Sequence, residues 1–199
     1  YIEPAIEMIT YDEYINFIKT NKFDLIGIGS TTLQVEYAME SFRFIKQNFP
    51  HIITVLGGVH ATLMPQETLN YIDVIDYLIL GEGEKPFLQL IDYLTHGKKD
   101  LIKGIDGICF KENGSVIINP PNSKNYLLPE EIPIPLFDIF PMKKYVPHIT
   151  LAKVFPSYSV VASRGCPFQC AFCNATDTLG RKVRYKPVDT LLEEIKILK

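Results

Sequence analysis

No apolar run in this 199-residue sequence approaches the ~20 residues a membrane-spanning helix needs. Charge of one sign is also in short supply. Twenty Lys and Arg stand against 23 Asp and Glu, for a net charge of −3. That balance gives no reason to expect a nucleic-acid or anionic-membrane surface as partner. No secretory leader is visible, and the chain opens at Tyr1 rather than methionine, so its start is expected to be missing. Cysteine is scarce. Of the four, Cys166, Cys170 and Cys173 crowd into eight residues while Cys109 stands apart. A disulfide framework spreads its cysteines along the chain. This clustering points instead to metal in a reducing, cytoplasmic compartment. The G-x-G-x-x-G dinucleotide fingerprint is absent, and Gly81-Glu82-Gly83-Glu84 lacks the Lys and Ser/Thr of a phosphate-binding P-loop.

What is present reads as alternating strands and helices. Thr10 and Glu13 have the spacing of a capping box, opening a helix that should end near Asn21. Asp24 to Gly29, Ile52 to Leu56 and Tyr77 to Leu80 are short apolar runs that read as buried strands. Helices are predicted over Val35 to Phe49, Pro65 to Tyr71, and Pro86 to Leu94, the last stopped near Gly97. Continuously apolar strands separated by helices imply an α/β fold with a parallel sheet covered on both faces. Asn113-Gly114, between Gly107 to Phe110 and Ser115 to Ile118, is a hairpin signal. From Asn119 onward, prolines at 120, 121, 129, 133, 135, 141 and 147 interrupt any regular element. That stretch reads as a linker or extended wrap. Tyr158 to Ser163 is predicted as a strand, and Val188 to Leu198 as an amphipathic helix.

Each of the first three strands runs into a loop of small residues: Ser30-Thr31-Thr32, then Gly57-Gly58-Val59-His60-Ala61-Thr62, then Gly81-Glu82-Gly83-Glu84. Ligands of open α/β sheets bind outside the carboxyl ends of the strands. Glycine there admits a ligand close to the backbone, and hydroxyls offer hydrogen bonds without bulk. One glycine pair often only shapes a turn; three such loops at successive strand ends make a stronger signal. His60 is a candidate metal ligand, but a loop residue packing or hydrogen bonding near a cofactor is the reading preferred. Glu82 and Glu84 are candidate acid–base groups, Glu84 equally a residue of a helical first turn.

The segment Ser163-Arg164-Gly165-Cys166-Pro167-Phe168-Gln169-Cys170-Ala171-Phe172-Cys173 places three thiolates in one tight loop. Iron–sulfur clusters are normally held by four cysteines. Three would leave one iron open to a substrate or co-substrate. Structural zinc wants four ligands, usually in separated pairs, and only the remote Cys109 and His148 could add to this set. A redox pair at Cys170 and Cys173 is a further alternative. Cys109 alone reads as a buried strand residue. Phe168 reads as loop packing, and Arg181 and Arg184 as a solvated face or contacts to an anionic group.

The C-x3-C-x2-C spacing with Phe172 before the last cysteine resembles the signature of radical S-adenosylmethionine enzymes. The three glycine and hydroxyl loops, in the order found here, resemble the cobalamin-binding domain that precedes many of their barrels. The resemblance covers essentially the whole chain. It implies a flavodoxin/Rossmann-like cobalamin-binding domain over residues 1–118, lacking its first strands. A Pro-rich linker over 119–156 and the first βα unit of a radical barrel (a partial TIM-type barrel) over 157–199 would follow, the chain being truncated at both ends. It implies a [4Fe–4S] cluster on Cys166, Cys170 and Cys173, whose open iron chelates S-adenosylmethionine, with Phe172 near the adenine. Reduction would then generate a 5′-deoxyadenosyl radical. It implies that Ser30, Thr31, Thr32, Gly57, Gly58, His60, Ala61, Thr62, Gly81, Glu82 and Gly83 embrace cobalamin. Methyl transfer or oxidative rearrangement of a small-molecule or biosynthetic substrate would follow, with an electron donor such as flavodoxin or ferredoxin. The alternatives are a non-catalytic cobalamin-binding module whose cysteine loop is structural or zinc-bound, and a flavodoxin-like domain binding flavin.

Overall fold

The computed structural model describes residues 10–97, 99–144 and 157–199. Pro147 and His148 lie outside them.

The chain divides into two compact units. One comprises Phe23–Leu127 with Gly165–Val183. Its centre is a five-stranded sheet in the order β1 (Leu25–Gly29), β2 (Ile53–Gly57), β3 (Tyr77–Ile79), β4 (Ile108–Glu112), β5 (Ser115–Asn119). The first three strands are parallel, with Ile26 opposite Thr54 and Val55 opposite Tyr77. β4 and β5 are antiparallel, so the sheet is mixed rather than wholly parallel. For β4 against β5 the reason is local. Asn113 (φ 51°) and Gly114 (φ 79°) both adopt the left-handed conformation that a two-residue hairpin turn requires.

Helix α2 (Val35–Asn48) follows β1 and buries Ala38, Met39, Phe42 and Ile45 along one face. Helix α5 (Glu84–His96) follows β3 and contributes Leu90 to a core with Val55, Ile79, Ile102, Ile105, Ile108 and Phe110. Each such side chain contributes roughly 1.5–3 kcal/mol of burial free energy. α5 begins two residues earlier than the sequence suggests, at Glu84, and ends at Gly97 in the left-handed conformation. Between β2 and β3 lie two helices, α3 (Val59–Leu63) and α4 (Pro65–Tyr71). The first was expected to be loop. Gly58 at φ 90° turns the chain from strand directly into a helical turn, closed by Thr62 N–H on the Gly58 carbonyl at 3.1 Å.

At the opposite end of these strands a polar network pins β3 to β2. The Asp76 carboxylate accepts from the Thr54 amide (2.8 Å), the Thr54 hydroxyl (3.0 Å) and Lys46 Nζ (2.6 Å). After β5, the described linker residues form only short 3-10 turns, at Ser123–Asn125, Pro129–Glu131, Phe137–Ile139 and Met142–Lys144.

The second unit takes in the described parts of 1–22, 128–164 and 184–199. Helix α1 (Tyr11–Asn21) carries the expected capping box, with the Thr10 amide donating to Glu13 Oε2 at 2.7 Å. The strand expected over 158–163 is shorter. Only Ser163–Arg164 (β6) pair, antiparallel to Arg184–Tyr185 (β7), with Lys186 N–H on the Ala162 carbonyl. The apolar run has strand propensity, but propensity forms a strand only where a partner strand runs alongside. Helix α7 (Val188–Leu198) follows as expected and buries Glu194 in an ion pair with Lys186. Arg184 is buried too, not on a solvated face as the sequence suggested.

Candidate cofactor site

The loops after β1, β2 and β3 are tied into one edge. Ser30 is buried, its amide donates to the Gly57 carbonyl at 3.0 Å, and its carbonyl accepts the His60 amide at 3.2 Å. Gly58 fits against this turn only because it lacks a side chain: a Cβ there would stand 2.7 Å from the Ser30 carbonyl oxygen. The Thr62 hydroxyl donates to the Gly58 carbonyl and accepts the Gly81 amide, both at 2.9 Å. Thr31 turns to Gln34, at the start of α2, and is exposed. Ala61 is fully buried. Gly83 precedes α5, and Glu82 is buried beside it. Glu84 is the first residue of α5.

His60 lies between loop one and α4. Its Nδ1 is 3.1 Å from Thr32 Oγ1, and its Nε2 is 3.2 Å from Thr68 Oγ1. The Thr68 hydroxyl spends its proton on the Met64 carbonyl at 2.5 Å, so towards His60 it accepts. That makes Nε2 the protonated nitrogen and Nδ1 the acceptor of the Thr32 hydroxyl. Burial holds the imidazole pKa below its ordinary value, favouring this neutral form.

The cysteine loop belongs to the same compact unit as the sheet. Gly165 (φ 93°) opens it, where any Cβ would collide with the Lys182 carbonyl. Cys166 N–H donates to the Gly180 carbonyl at 3.0 Å, and Cys173 N–H to the Cys170 carbonyl at 3.1 Å. Cys166 is half-buried; Cys170 and Cys173 are exposed. Among the described residues no three side chains converge on a single metal ion. A cubane places its thiolates on separate irons, and three accessible thiols on one closed loop suit that donor set. Phe172 and Phe168 are both exposed. Cys109 is fully buried on β4, where burial pushes its thiol up to about 12, and it lies apart from the loop.

Helix α6 (Ala175–Leu179), directly after the last cysteine, packs against α3 of the second glycine loop. Sequence reasoning did not single out Tyr126. Its phenolic oxygen sits where a Gly81 Cβ would meet it at 2.7 Å. Its place in a proline-rich stretch gave no signal. A cavity of about 220 Å³ opens beside it, lined by Glu82, Lys85, Asp106 and Asn122 among others.

Residues 1–91 match the family described as B12 binding domain. An uncharacterized methyltransferase of Pyrococcus horikoshii is 36% identical over 197 residues, 99% of this chain and 41% of that protein. An anaerobic magnesium-protoporphyrin IX monomethyl ester cyclase of Rubrivivax gelatinosus is 27% identical, over 100% of this chain and 35% of that protein. The chain thus spans about two-fifths or less of these relatives' length. Among solved structures, the radical S-adenosylmethionine methyltransferase TsrM from Kitasatospora setae, with cobalamin and a [4Fe–4S] cluster bound, superposes with a TM-score of 0.68 at 16% identity. That match covers 99% of this chain and 39% of TsrM. The cobalamin-dependent S-adenosylmethionine radical enzyme OxsB gives 0.69 at 23% identity, over 95% of this chain and 25% of OxsB. At those identities the structural likeness is one of fold. Over residues 1–91 the chain thus carries a match to the B12 binding domain family, and over essentially its whole length it is similar to the Pyrococcus horikoshii methyltransferase.

Proposed function

We propose that this chain is the cofactor-bearing part of a cobalamin-dependent radical S-adenosylmethionine enzyme acting in methyl transfer or oxidative rearrangement. The carrying observation is that α3, which holds His60 and Thr62, packs against α6, which follows Cys173, within one compact unit. In this reading 1–118 is the cobalamin-binding domain, 119–156 the linker and 157–199 the start of the radical domain. When bound, the cluster supplies the electron that cleaves S-adenosylmethionine, and cobalamin supplies a methyl carrier.

The chain's own residues do the holding. Cys166, Cys170 and Cys173 would ligate three irons and leave the fourth open. Cys170 and Cys173 share one turn, closed by the amide of Cys173, and Cys166 is fastened to Gly180. Gly57, Gly58 and Gly81 would admit a large planar cofactor to the backbone at the strand ends. Ser30 and Thr62 hold those loops in register, while the exposed Thr31 and Thr32 spend their hydroxyls on Gln34 and His60 and so shape the first loop. Phe172, fully presented to solvent on the cysteine loop, would cover an adenine. A protein electron donor and a small-molecule or biosynthetic substrate complete the proposal, in a cytoplasmic setting. Among the described residues no helix is long and apolar enough to cross a membrane.

The test is anaerobic reconstitution with iron and sulfide, then electron paramagnetic resonance of the reduced protein with and without S-adenosylmethionine, beside a hydroxocobalamin titration. The expected result is a [4Fe–4S]⁺ signal that shifts on adding S-adenosylmethionine. Cys170→Ala should abolish it while cobalamin binding persists. Zinc in place of iron, with no cluster signal, would overturn the radical assignment.

A further inference from the structure

We propose that Tyr126 is a positioning residue that couples the third glycine loop to the cysteine loop. Two glycines of positive φ, nearly a hundred residues apart, back onto this one side chain. At Gly81 (φ 69°), a Cβ would stand 2.7 Å from the Tyr126 hydroxyl oxygen and 3.0 Å from Pro121 Cβ. At Gly180 (φ 75°), a Cβ would stand 3.3 Å from Ser123 Cβ and 3.4 Å from Tyr126 Cε2. The hydroxyl end therefore faces one loop and the ring edge the other.

Both contacts reach groups that shape their loops. The Gly81 amide is held by Thr62, which also holds Gly58. The Gly180 carbonyl accepts the Cys166 amide, and the Gly180 amide donates to Thr176 in α6. A shift of Tyr126 thus moves the backbone beneath the first cysteine at one end and the second and third strand loops at the other.

The tyrosine can transmit such a shift because its segment is anchored at the root. Asn119, the last residue of β5, donates from its side chain to the carbonyls of Ile102, Lys103 and Ile105, each at 3.1–3.2 Å. Its carbonyl accepts the Gly107 amide at 3.0 Å. Two prolines follow it directly, fixing φ over the next two positions. Segment 120–127 is therefore a stiff arm from the sheet, not a free linker, and Tyr126 is its tip.

Naming the coupled loops as cobalamin and cluster loops rests on the proposed function; the coupling itself is a property of the chain alone. Amide hydrogen exchange on the protein without cofactors tests it, using Tyr126→Phe, Tyr126→Ala, Gly180→Ala and the Tyr126→Ala/Gly180→Ala double variant. Tyr126→Ala should raise exchange severalfold in peptides covering 80–84 and 166–180 together. Gly180→Ala should also raise exchange at 80–84, because its methyl would press on Ser123 Cβ at 3.3 Å and displace the segment that carries Tyr126. In the Tyr126→Ala background it should add nothing there, since the strain of alanine at positive φ is common to both backgrounds and cancels in the cycle. Tyr126→Phe, which keeps the ring, should retain the response of 166–180 and loosen 80–84 alone. Wild-type exchange at 80–84 in Gly180→Ala would overturn the proposal. If Tyr126→Ala also loses protection across 53–57, it has unfolded, and the comparison of Tyr126→Phe with Gly180→Ala decides. Failure of the wild-type chain to bind hydroxocobalamin, with this coupling intact, would remove the cofactor assignment and leave the coupling standing.

Discussion

The Thr62 hydroxyl accepts the Gly81 amide and donates to the Gly58 carbonyl, each at 2.9 Å, so one side chain closes the second strand loop and fastens it to the third. Valine has nearly the shape of threonine but can make neither bond. In Thr62→Val the Gly81 N–H, which is half-buried, loses its partner, and an unsatisfied buried group of this kind costs about 1–3 kcal/mol. Urea denaturation should show that loss, and Thr62→Ser should recover most of it. Cobalamin affinity should fall in Thr62→Val alongside stability. A valine variant as stable as wild type would mean that water replaces the hydroxyl and that the two loops are not fastened through Thr62.

The four cysteines should separate by reactivity. Cys109 is fully buried on β4, and burial pushes its thiol up to about 12, so it is neither reachable nor ionised near neutrality. Cys170 and Cys173 are exposed and Cys166 is half-buried. A thiol reagent applied to the native protein without cluster should label the three loop cysteines and spare Cys109 until denaturant is added. Once the cluster is built, the same three should become protected. Early labelling of Cys109, followed by mass spectrometry of the digested protein, would show that β4 opens readily although it is paired on both sides, by β3 and β5.

Much of the fold was legible because its signals are local. Thr10 with Glu13 needs only four residues to make a capping box, and Asn113-Gly114 needs only two to turn a hairpin. The runs of β2 and β3 are apolar along their length because neighbours cover them, and the text of the sequence carries that directly, whereas β1 reads the same way yet is only partly covered. What was not legible depends on residues far apart. The helix after Gly58 arises because that glycine is pressed against the Ser30 turn at positive φ, a fact of β1 meeting β2. The strand over 158–163 shrank to two residues because its partner, Arg184–Tyr185, is itself only two long. Arg184 reads as a surface charge, yet its place in that pair buries it. At the candidate site, the sequence brought forward Ser30, Gly58, His60, Thr62 and Gly81 as separate loop residues, and the structure shows them joined by hydrogen bonds along one edge. Tyr126 escaped notice because nothing in the spelling of a proline-rich stretch says where a tyrosine's ring will lie.

The His60 arrangement makes a prediction with a definite sign. The ring is neutral, with Nε2–H on Thr68 and Nδ1 accepting from Thr32, and burial lowers its pKa below the ordinary 6.5. Between that lowered value and 6.5 the unfolded chain binds more protons at this site than the folded one does. Stability must then rise with pH across the window, and be lost as pH falls through it. Above about pH 8 both states are neutral and the site contributes no slope. In His60→Gln the titration disappears, while the side-chain amide can still donate to the Thr68 hydroxyl. Melting temperatures between about pH 5 and 9 should therefore decline towards acid more gently in His60→Gln than in wild type, and run parallel above about pH 8. A variant whose acid decline matches wild type throughout would mean that His60 protonates in the folded state without penalty. The Thr32 hydroxyl would then have to turn and accept from the ring, and the strut between loop one and α4 would not depend on a single tautomer.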